Sequence, residues 1–243
     1  MMFKKDDSET SIWISTADLL SGLLVIFLFV AVLMTESSER NRTRAEKVEA
    51  ALREVTGASN DAKLTLQRNI ESQFTPYEMK MYHLSSGEIG HAYFKDGDIN
   101  FRAGSSEITP GFKRLLNNFL PKYIRAIAKC DQKYIKEIRI EGHTSSEWSS
   151  NYVANSNYSY IRNMELSQSR TRAILNYALS MPELAQYHDL IKSKLTANGL
   201  SSSQLIIENG VENKEKSRRI EFRVVANDQE TLRQIKNAMD NNS

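Results

Sequence analysis

Cysteine, proline and charge of one dominant sign are all scarce in this chain of 243 residues, which has one Cys, four Pro and a formal net charge of +2. A single cysteine, Cys130, excludes an intramolecular disulfide framework; we expect a buried thiol, with an intermolecular bridge as the alternative. The modest net charge lacks the strongly basic footprint of a nucleic-acid-binding protein. The four histidines have no metal-type spacing, and neither a glycine-rich phosphate loop nor a nucleophile elbow occurs. The sequence therefore predicts no enzyme, cofactor, metal site or nucleic-acid partner.

Charge is also missing from residues 12–34, with the exception of Asp18. These 23 residues would form a helix of about 34 Å, at about 1.5 Å per residue. The hydrocarbon core of a bilayer is about 30 Å thick, so the segment predicts one transmembrane helix after a polar tail, residues 1–11. A signal peptide is the alternative, but the apolar run is too long, contains an acid and lacks a small-residue cleavage site.

Asp18 lies about 9 Å into this segment by the same helical rise. A charged aspartate inside a membrane costs about 2.5–3.5 kcal/mol, and the cost falls when the carboxyl is protonated. Ser15 shares its helix face and Ser21 lies one turn further on. We therefore predict that Asp18, Ser15 and Ser21 translocate an ion, with a proton favoured over sodium. A helix–helix hydrogen bond without transport is the alternative for Asp18.

The rest of the chain divides into a charged segment, residues 35–75, and a globular part, residues 76–243. Apolar spacing in the first predicts a stalk of two short helices interrupted at Gly57, with a solvated linker as the alternative. The second alternates strands and helices, which predicts an α/β (α+β) sandwich with helices on one face of a mixed sheet. The predicted strands are residues 98–102, 134–141, 194–199 and 218–225. The first predicted helix covers about twenty residues from 110, with a kink or restart at Pro121. Further helices are predicted over residues 164–180 and 182–194 and from residue 228.

Four segments of the globular part resemble the OmpA-like peptidoglycan-binding domain. They are residues 99–110 (INFRAGSSEITP), 138–144 (IRIEGHT), 163–170 (NMELSQSR) and 217–222 (SRRIEF). The resemblance implies a grip on the peptide stem of the cell wall, in which Arg170 would clamp a carboxylate. The residues that it places in this site are His143, Thr144, Ser145, Asn163, Leu166 and Arg170.

The chain departs from that family at Ser145, where an aspartate usually follows Gly-His-Thr. The acid that would pair with the ammonium end of the stem is missing there, unless Glu147 replaces it. The loop before Asn163 is also about ten residues longer than is usual for the family. It carries four aromatic residues that could stack on sugar or peptide, namely Trp148, Tyr152, Tyr158 and Tyr160.

The N-terminal part resembles the MotB-type stator subunit of rotary ion motors, through Ala17-Asp18, Ser21 and the Leu/Phe-rich run. Among such proteins, the loop Gly-His-Thr-Ser-Ser-Glu-Trp is most similar to the MotB-like subunit of the Zorya anti-phage defence system. The resemblance implies a homodimer inside a ring of a multi-span MotA-like subunit, a cytoplasmic N-terminus and a periplasmic, wall-bound C-terminal domain. It leaves a flagellar stator and a passive peptidoglycan tether as alternatives.

Overall fold

The computed structural model describes residues 7–84, 90–95, 100–149, 154 and 156–240. They divide into two compact units, one within residues 1–54 and 235–243 and the other within residues 55–234. The helices are α1 (Asp7–Gln73), α2 (Pro76–Met81), α3 (Pro110–Ala128), α4 (Asn157–Ser180), α5 (His188–Lys194), α6 (Lys214–Ser217) and α7 (Asp228–Asp240), with 3-10 turns at Gln132–Tyr134 and Pro182–Tyr187. The strands are β1 (Ala92–Lys95), β2 (Ile135–His143), β3 (Leu195–Gly199), β4 (Ile207–Glu208), β5 (Val211–Glu212) and β6 (Arg219–Ala226).

Helix α1 is the one helix in the described part of the chain that is long and apolar enough to cross a membrane. The most apolar window has a mean hydropathy of 2.6, and none of it is buried. Beyond it, exposed Glu–Arg pairs four residues apart support the helix by a few tenths of a kcal/mol each. The helix continues through Gly57, so the predicted interruption there is wrong. A lone glycine costs a helix only about 1 kcal/mol, which the flanking residues offset.

A four-stranded mixed sheet in the order β1-β6-β2-β3 forms the centre of the second unit. Strands β2 and β3 are parallel, while β6 is antiparallel to both of its neighbours. Side chains alternate between faces, so Ile138 and Ile140 of β2 enter the core while Arg139, Glu141 and His143 lie on the opposite face. The predicted α+β fold class, with helices on a mixed sheet, is confirmed.

The hydrophobic core lies between the sheet and the helices α3 and α4. At its centre, Phe119 of α3 stacks on Tyr123 at 4.8 Å and lies 5.1 Å from Phe222 of β6. The end of α1 also enters this core through three buried side chains, Leu66, Ile70 and Phe74. The last turns of the segment that we assigned to the stalk are therefore part of the globular packing.

Three local predictions need correction. The predicted strand 98–102 is replaced, within the described residues, by an isolated bridge between Phe101 and Ile108, and residues 98 and 99 lie outside the described part. Helix α3 starts as predicted, with the Thr109 side chain accepting from the Phe112 N–H, and it continues through Pro121, so a restart there is wrong and a kink stays a prediction. Helix α4 begins at Asn157, earlier than predicted, because the Ser156 hydroxyl caps it by accepting from the Ser159 N–H.

Candidate functional site

Ser15, Asp18 and Ser21 lie together in the exposed apolar portion of α1. Their spacing of three residues places the two serines on either side of Asp18, one turn before and one turn after it. The helix thus groups the three side chains as the sequence predicts. Their role in ion translocation stays a prediction.

The second predicted site is built around the loop that follows β2. Thr144 donates its backbone N–H to the Ser201 carbonyl at 2.9 Å. The buried Asn163 side chain of α4 donates to the carbonyls of Ser145 and Glu147, at 3.1 and 3.2 Å. These bonds hold the loop against α4, so Asn163 positions the loop through its backbone.

Glu212 is a residue of this site that the sequence reasoning missed. Its carboxylate accepts from the Ser146 N–H at 3.0 Å and from the Ser146 hydroxyl at 2.5 Å. Glu147, the acid suggested from the sequence, instead pairs with Lys214 at 2.5 Å. The sequence signal that could have found it is the dipeptide Asn209-Gly210, because Asn-Gly favours a tight β-hairpin. Both residues have positive φ at the turn between β4 and β5. This hairpin brings Glu212 to the loop.

Arg170 lies on the same side of α4 as Asn163 and is 6% exposed. Its guanidinium donates to the carbonyls of Ser105 and Arg102, at 2.9 and 3.2 Å, and lies 4.9 Å from the Phe101 ring. Leu166, between the two polar residues, is half-buried. The predicted carboxylate clamp therefore also organises the segment 101–105, and its contact with a wall ligand stays a prediction.

The aromatic residues predicted to line the long loop are distributed differently. Trp148 lies under the Arg162 guanidinium, with 5.2 Å between the cation and the ring centre. Tyr158 and Tyr160 lie in the first turn of α4, so their assignment to the loop is wrong. Tyr152 lies outside the described residues.

His143 differs from its neighbours in the loop because its ring lies on the charged face of the sheet, beside Glu141 and Glu221. Its side chain is 0% exposed, and burial together with the Arg219 charge lowers its pKa to about 4. Burial would raise the pKa of Glu221, but hydrogen bonds from His91 and Arg219 lower it to about 2. Direct contact between His143 and a wall ligand, which stays a prediction, would require this face to open.

Comparison with known proteins gives both a domain family and full-length relatives. Residues 100–221 match the OmpA family. The chain is 33% identical over 232 residues to the Zorya protein ZorB of Escherichia coli strain Crooks, covering 95% of this chain and 94% of the relative. A second Zorya protein ZorB, from Escherichia coli O139:H28, is 24% identical over 223 residues, or 91% of this chain and 82% of that one.

Among solved structures, the periplasmic domain of Helicobacter pylori MotB is similar to 62% of this chain and 82% of its own, with 19% identity and a TM-score of 0.41. The curated relatives match almost the whole chain, and the OmpA match includes the loop after β2 and the whole of α4 and β3. The resemblance inferred from the sequence is thereby confirmed: the chain belongs to the Zorya ZorB family, and its globular part contains a domain of the OmpA family.

Proposed function

We propose that this chain is the ion-carrying, wall-anchored subunit of a proton-driven membrane motor that acts in defence against phage. The observation that carries the proposal is Asp18, the one charged residue of the apolar run 12–34 in a helix that can span a membrane, in a member of the ZorB family. An acid at membrane depth is costly and is usually retained for ion movement. The relatives carry the name Zorya protein ZorB, which agrees with the sequence resemblance to the Zorya anti-phage defence system.

In the proposed mechanism, Asp18 alternates between a protonated and an ionised carboxyl as protons cross. Protonation removes the cost of burying a charge, and ionisation restores it. The attraction between Asp18 and polar groups of neighbouring helices changes at each step, which favours one of two packings in turn. Ser15 and Ser21 supply hydroxyl groups one turn to either side. The membrane potential contributes about 2.3 kcal/mol per charge per 100 mV.

The OmpA-family domain anchors the chain to peptidoglycan in this proposal. Its binding region comprises the loop after β2 and the face of α4 that carries Asn163, Leu166 and Arg170. Arg170 supplies a guanidinium for a carboxylate of the stem peptide. Glu212, held by two hydrogen bonds from Ser146, supplies the acid that Ser145 does not. An arginine and a carboxylate together suit a zwitterionic ligand.

The proposed assembly places two copies of the chain inside a ring of a multi-span MotA-like subunit. The apolar helix and the family fit a single-pass protein of the bacterial inner membrane. The N-terminus faces the cytoplasm and the C-terminal domain faces the periplasm, where the wall is. With the dimer fixed to the wall, proton flow would turn the ring and transmit the defence signal inward.

A phage plaque assay in cells that carry the complete defence operon tests the role of Asp18. We expect Asp18→Asn to abolish protection, because the amide cannot gain and lose a proton, while Asp18→Glu retains part of it. Thr35→Val is the matched control, since it removes a polar group near the far end of the apolar run, where the Thr35 hydroxyl donates to the Ala31 carbonyl. Immunoblots of membrane fractions verify equal insertion.

Full protection by Asp18→Asn at normal membrane levels would contradict the ion-carrying role and would favour the passive tether. Membrane proton flux, measured with the multi-span partner co-expressed, separates loss of ion movement from loss of assembly. Rescue of swimming in a strain that lacks its stators would instead favour the flagellar alternative.

A further inference from the structure

The charged face of the sheet contains two buried glutamates that lie directly opposite each other. Glu141 of β2 and Glu221 of β6 are partners in the antiparallel register, and their side chains are 5% and 6% exposed. Like charges at such positions destabilise a sheet, and a buried carboxylate requires compensating partners. Two neighbouring carboxylates can bind a cation between them. They form a defined site only if a further ligand is directed at the same point.

His143 supplies that further ligand. Its side chain is wholly buried, and neither ring nitrogen has a hydrogen-bond partner among the described residues. The Nε2 atom lies 3.9 Å from Glu141 Oε2 and 3.8 Å from Glu221 Oε1. These distances are too long for hydrogen bonds. Two metal–ligand bonds of about 2.0–2.2 Å each, however, span up to about 4.2 Å through one ion.

We propose that Glu141, His143 and Glu221 form a buried site for a divalent transition metal, with Zn²⁺ as the best-fitting ion. One ligand atom from each residue lies within 4.8 Å of the other two. Zinc is bound in proteins by imidazole nitrogen and carboxylate oxygen, whereas Mg²⁺ prefers oxygen ligands and retains its waters. The proposal does not depend on the wall and ion functions, although His143 is also one of the residues predicted for the wall site.

The surroundings of the three ligands resemble the outer shell of a metal site. Glu221 accepts from Arg219 Nε at 2.5 Å and lies 2.8 Å from His91 Nε2, so its carboxylate is already oriented. Arg223 lies 3.8 Å from Glu141.

Charge balance limits how tightly this site can hold an ion. The two glutamates balance Arg219 and Arg223, so a bound Zn²⁺ leaves a net charge of about +2, as in a zinc site of three neutral histidines. We therefore expect weaker binding than at a thiolate-rich structural site. Arg139 and Arg223, which both approach Glu141, also help to line a neighbouring cavity of about 480 Å³.

Equilibrium dialysis of the full-length, detergent-solubilised chain against Zn²⁺ tests the site, with bound metal measured by plasma mass spectrometry after prior chelation. We expect one Zn²⁺ per chain, with at least tenfold weaker binding in His143→Gln and in Glu141→Gln. Glu165→Gln is the control: Glu165 is an exposed glutamate of α4 that pairs with Arg162, so its loss should leave Zn²⁺ binding unchanged.

Two further readouts keep the result unambiguous. Co²⁺ in place of Zn²⁺ should give visible absorption that His143→Gln abolishes, and excess Mg²⁺ should not compete. Circular dichroism confirms that each variant is folded. Less than a tenth of an equivalent of Zn²⁺ on the native chain would overturn the proposal whatever the variants do. Equal binding by the native chain and a folded His143→Gln would also overturn it, by placing the metal elsewhere.

Discussion

At the scale of single residues, Glu78 shows how one side chain connects two elements. It completes a capping box at the start of α2 by accepting from the Thr75 N–H at 2.9 Å. The same carboxylate accepts from Lys122 at 2.5 Å and Asn118 at 2.7 Å, both on α3. The hydrogen bond from Lys122, followed by those from Asn118 and Thr75, lowers the pKa of Glu78 to about 2.

We expect Glu78→Gln to reduce the free energy of unfolding by about 1–2 kcal/mol at pH 7, because it weakens two charge-assisted bonds and a cap. A depressed pKa means that the contribution of Glu78 is present above the ordinary value of 4.5 and is lost as pH falls towards 2. The difference between native and variant chains should therefore shrink below pH 4.5. Urea unfolding at pH 7 and pH 3 measures it.

Glu165→Gln is the control for this prediction, since Glu165 is 58% exposed and pairs with its helix neighbour Arg162. Its effect should be within about 0.5 kcal/mol at either pH. A Glu78→Gln variant that matched this control would show that the contacts between α2 and α3 contribute little to stability.

The spacing of residues in the sequence predicted which side chains lie on the same face of a helix. It predicted less reliably which groups those side chains contact. The spacing of Asn163 and Arg170 placed both on one side of α4, as observed. Their hydrogen-bond acceptors are backbone carbonyls, and those of Arg170 lie 65 and 68 residues away in the chain. A carbonyl carries no residue signature, so sequence reasoning had no means to foresee these bonds.

At the scale of elements, two glycines have opposite meanings. Gly199 ends β3 where α4 crosses it, and a Cβ there would lie 2.4 Å from the Gln168 backbone nitrogen. Gly57 lies inside α1, and a Cβ there would meet no heavy atom within 4 Å beyond its own stretch of helix backbone. The first glycine allows close packing of helix on sheet, while the second only weakens a helix.

We therefore expect Gly199→Ala to destabilise the chain by more than 2 kcal/mol and Gly57→Ala to stabilise it by about 0.5–1 kcal/mol. Both residues belong to the same compact unit, so one thermal unfolding transition, followed by circular dichroism, can report both changes. Each variant serves as the control for the other. A stable Gly199→Ala chain would mean that α4 can move away from β3 at little cost.

Elements with local signals were the predictable ones. Thr109-Pro110 and the run up to Pro182 predicted the start of α3 and the end of α4, because caps and proline act within a few residues. Strand β1 was missed, since four residues at the sheet edge are defined by pairing with β6 rather than by their own pattern. The continuity of α1 through Gly57 was missed as well, because it depends on the helical residues on either side of the glycine.

At the scale of the whole molecule, the proposed ion step and the proposed wall anchor lie in different compact units. Asp18 belongs to residues 1–54, and Glu212 belongs to residues 55–234. Substitutions at sites that share no partner have effects that are usually additive. If the proposed function holds, the two activities should therefore be lost independently.

Co-sedimentation of the detergent-solubilised full chain with purified peptidoglycan sacculi tests this separation. We expect Glu212→Gln to lower the affinity for sacculi about tenfold, which corresponds to about 1.4 kcal/mol, because the acid of the binding region is lost. Asp18→Asn should bind sacculi like the native chain although it fails in the plaque assay. Glu147→Gln is the matched control, since Glu147 lies in the same loop region but pairs with Lys214. Equal losses of affinity in Glu147→Gln and Glu212→Gln would show that the effect belongs to the acids of the loop region in general and not to Glu212. Loss of sacculus binding in Asp18→Asn would refute the independence of the two sites.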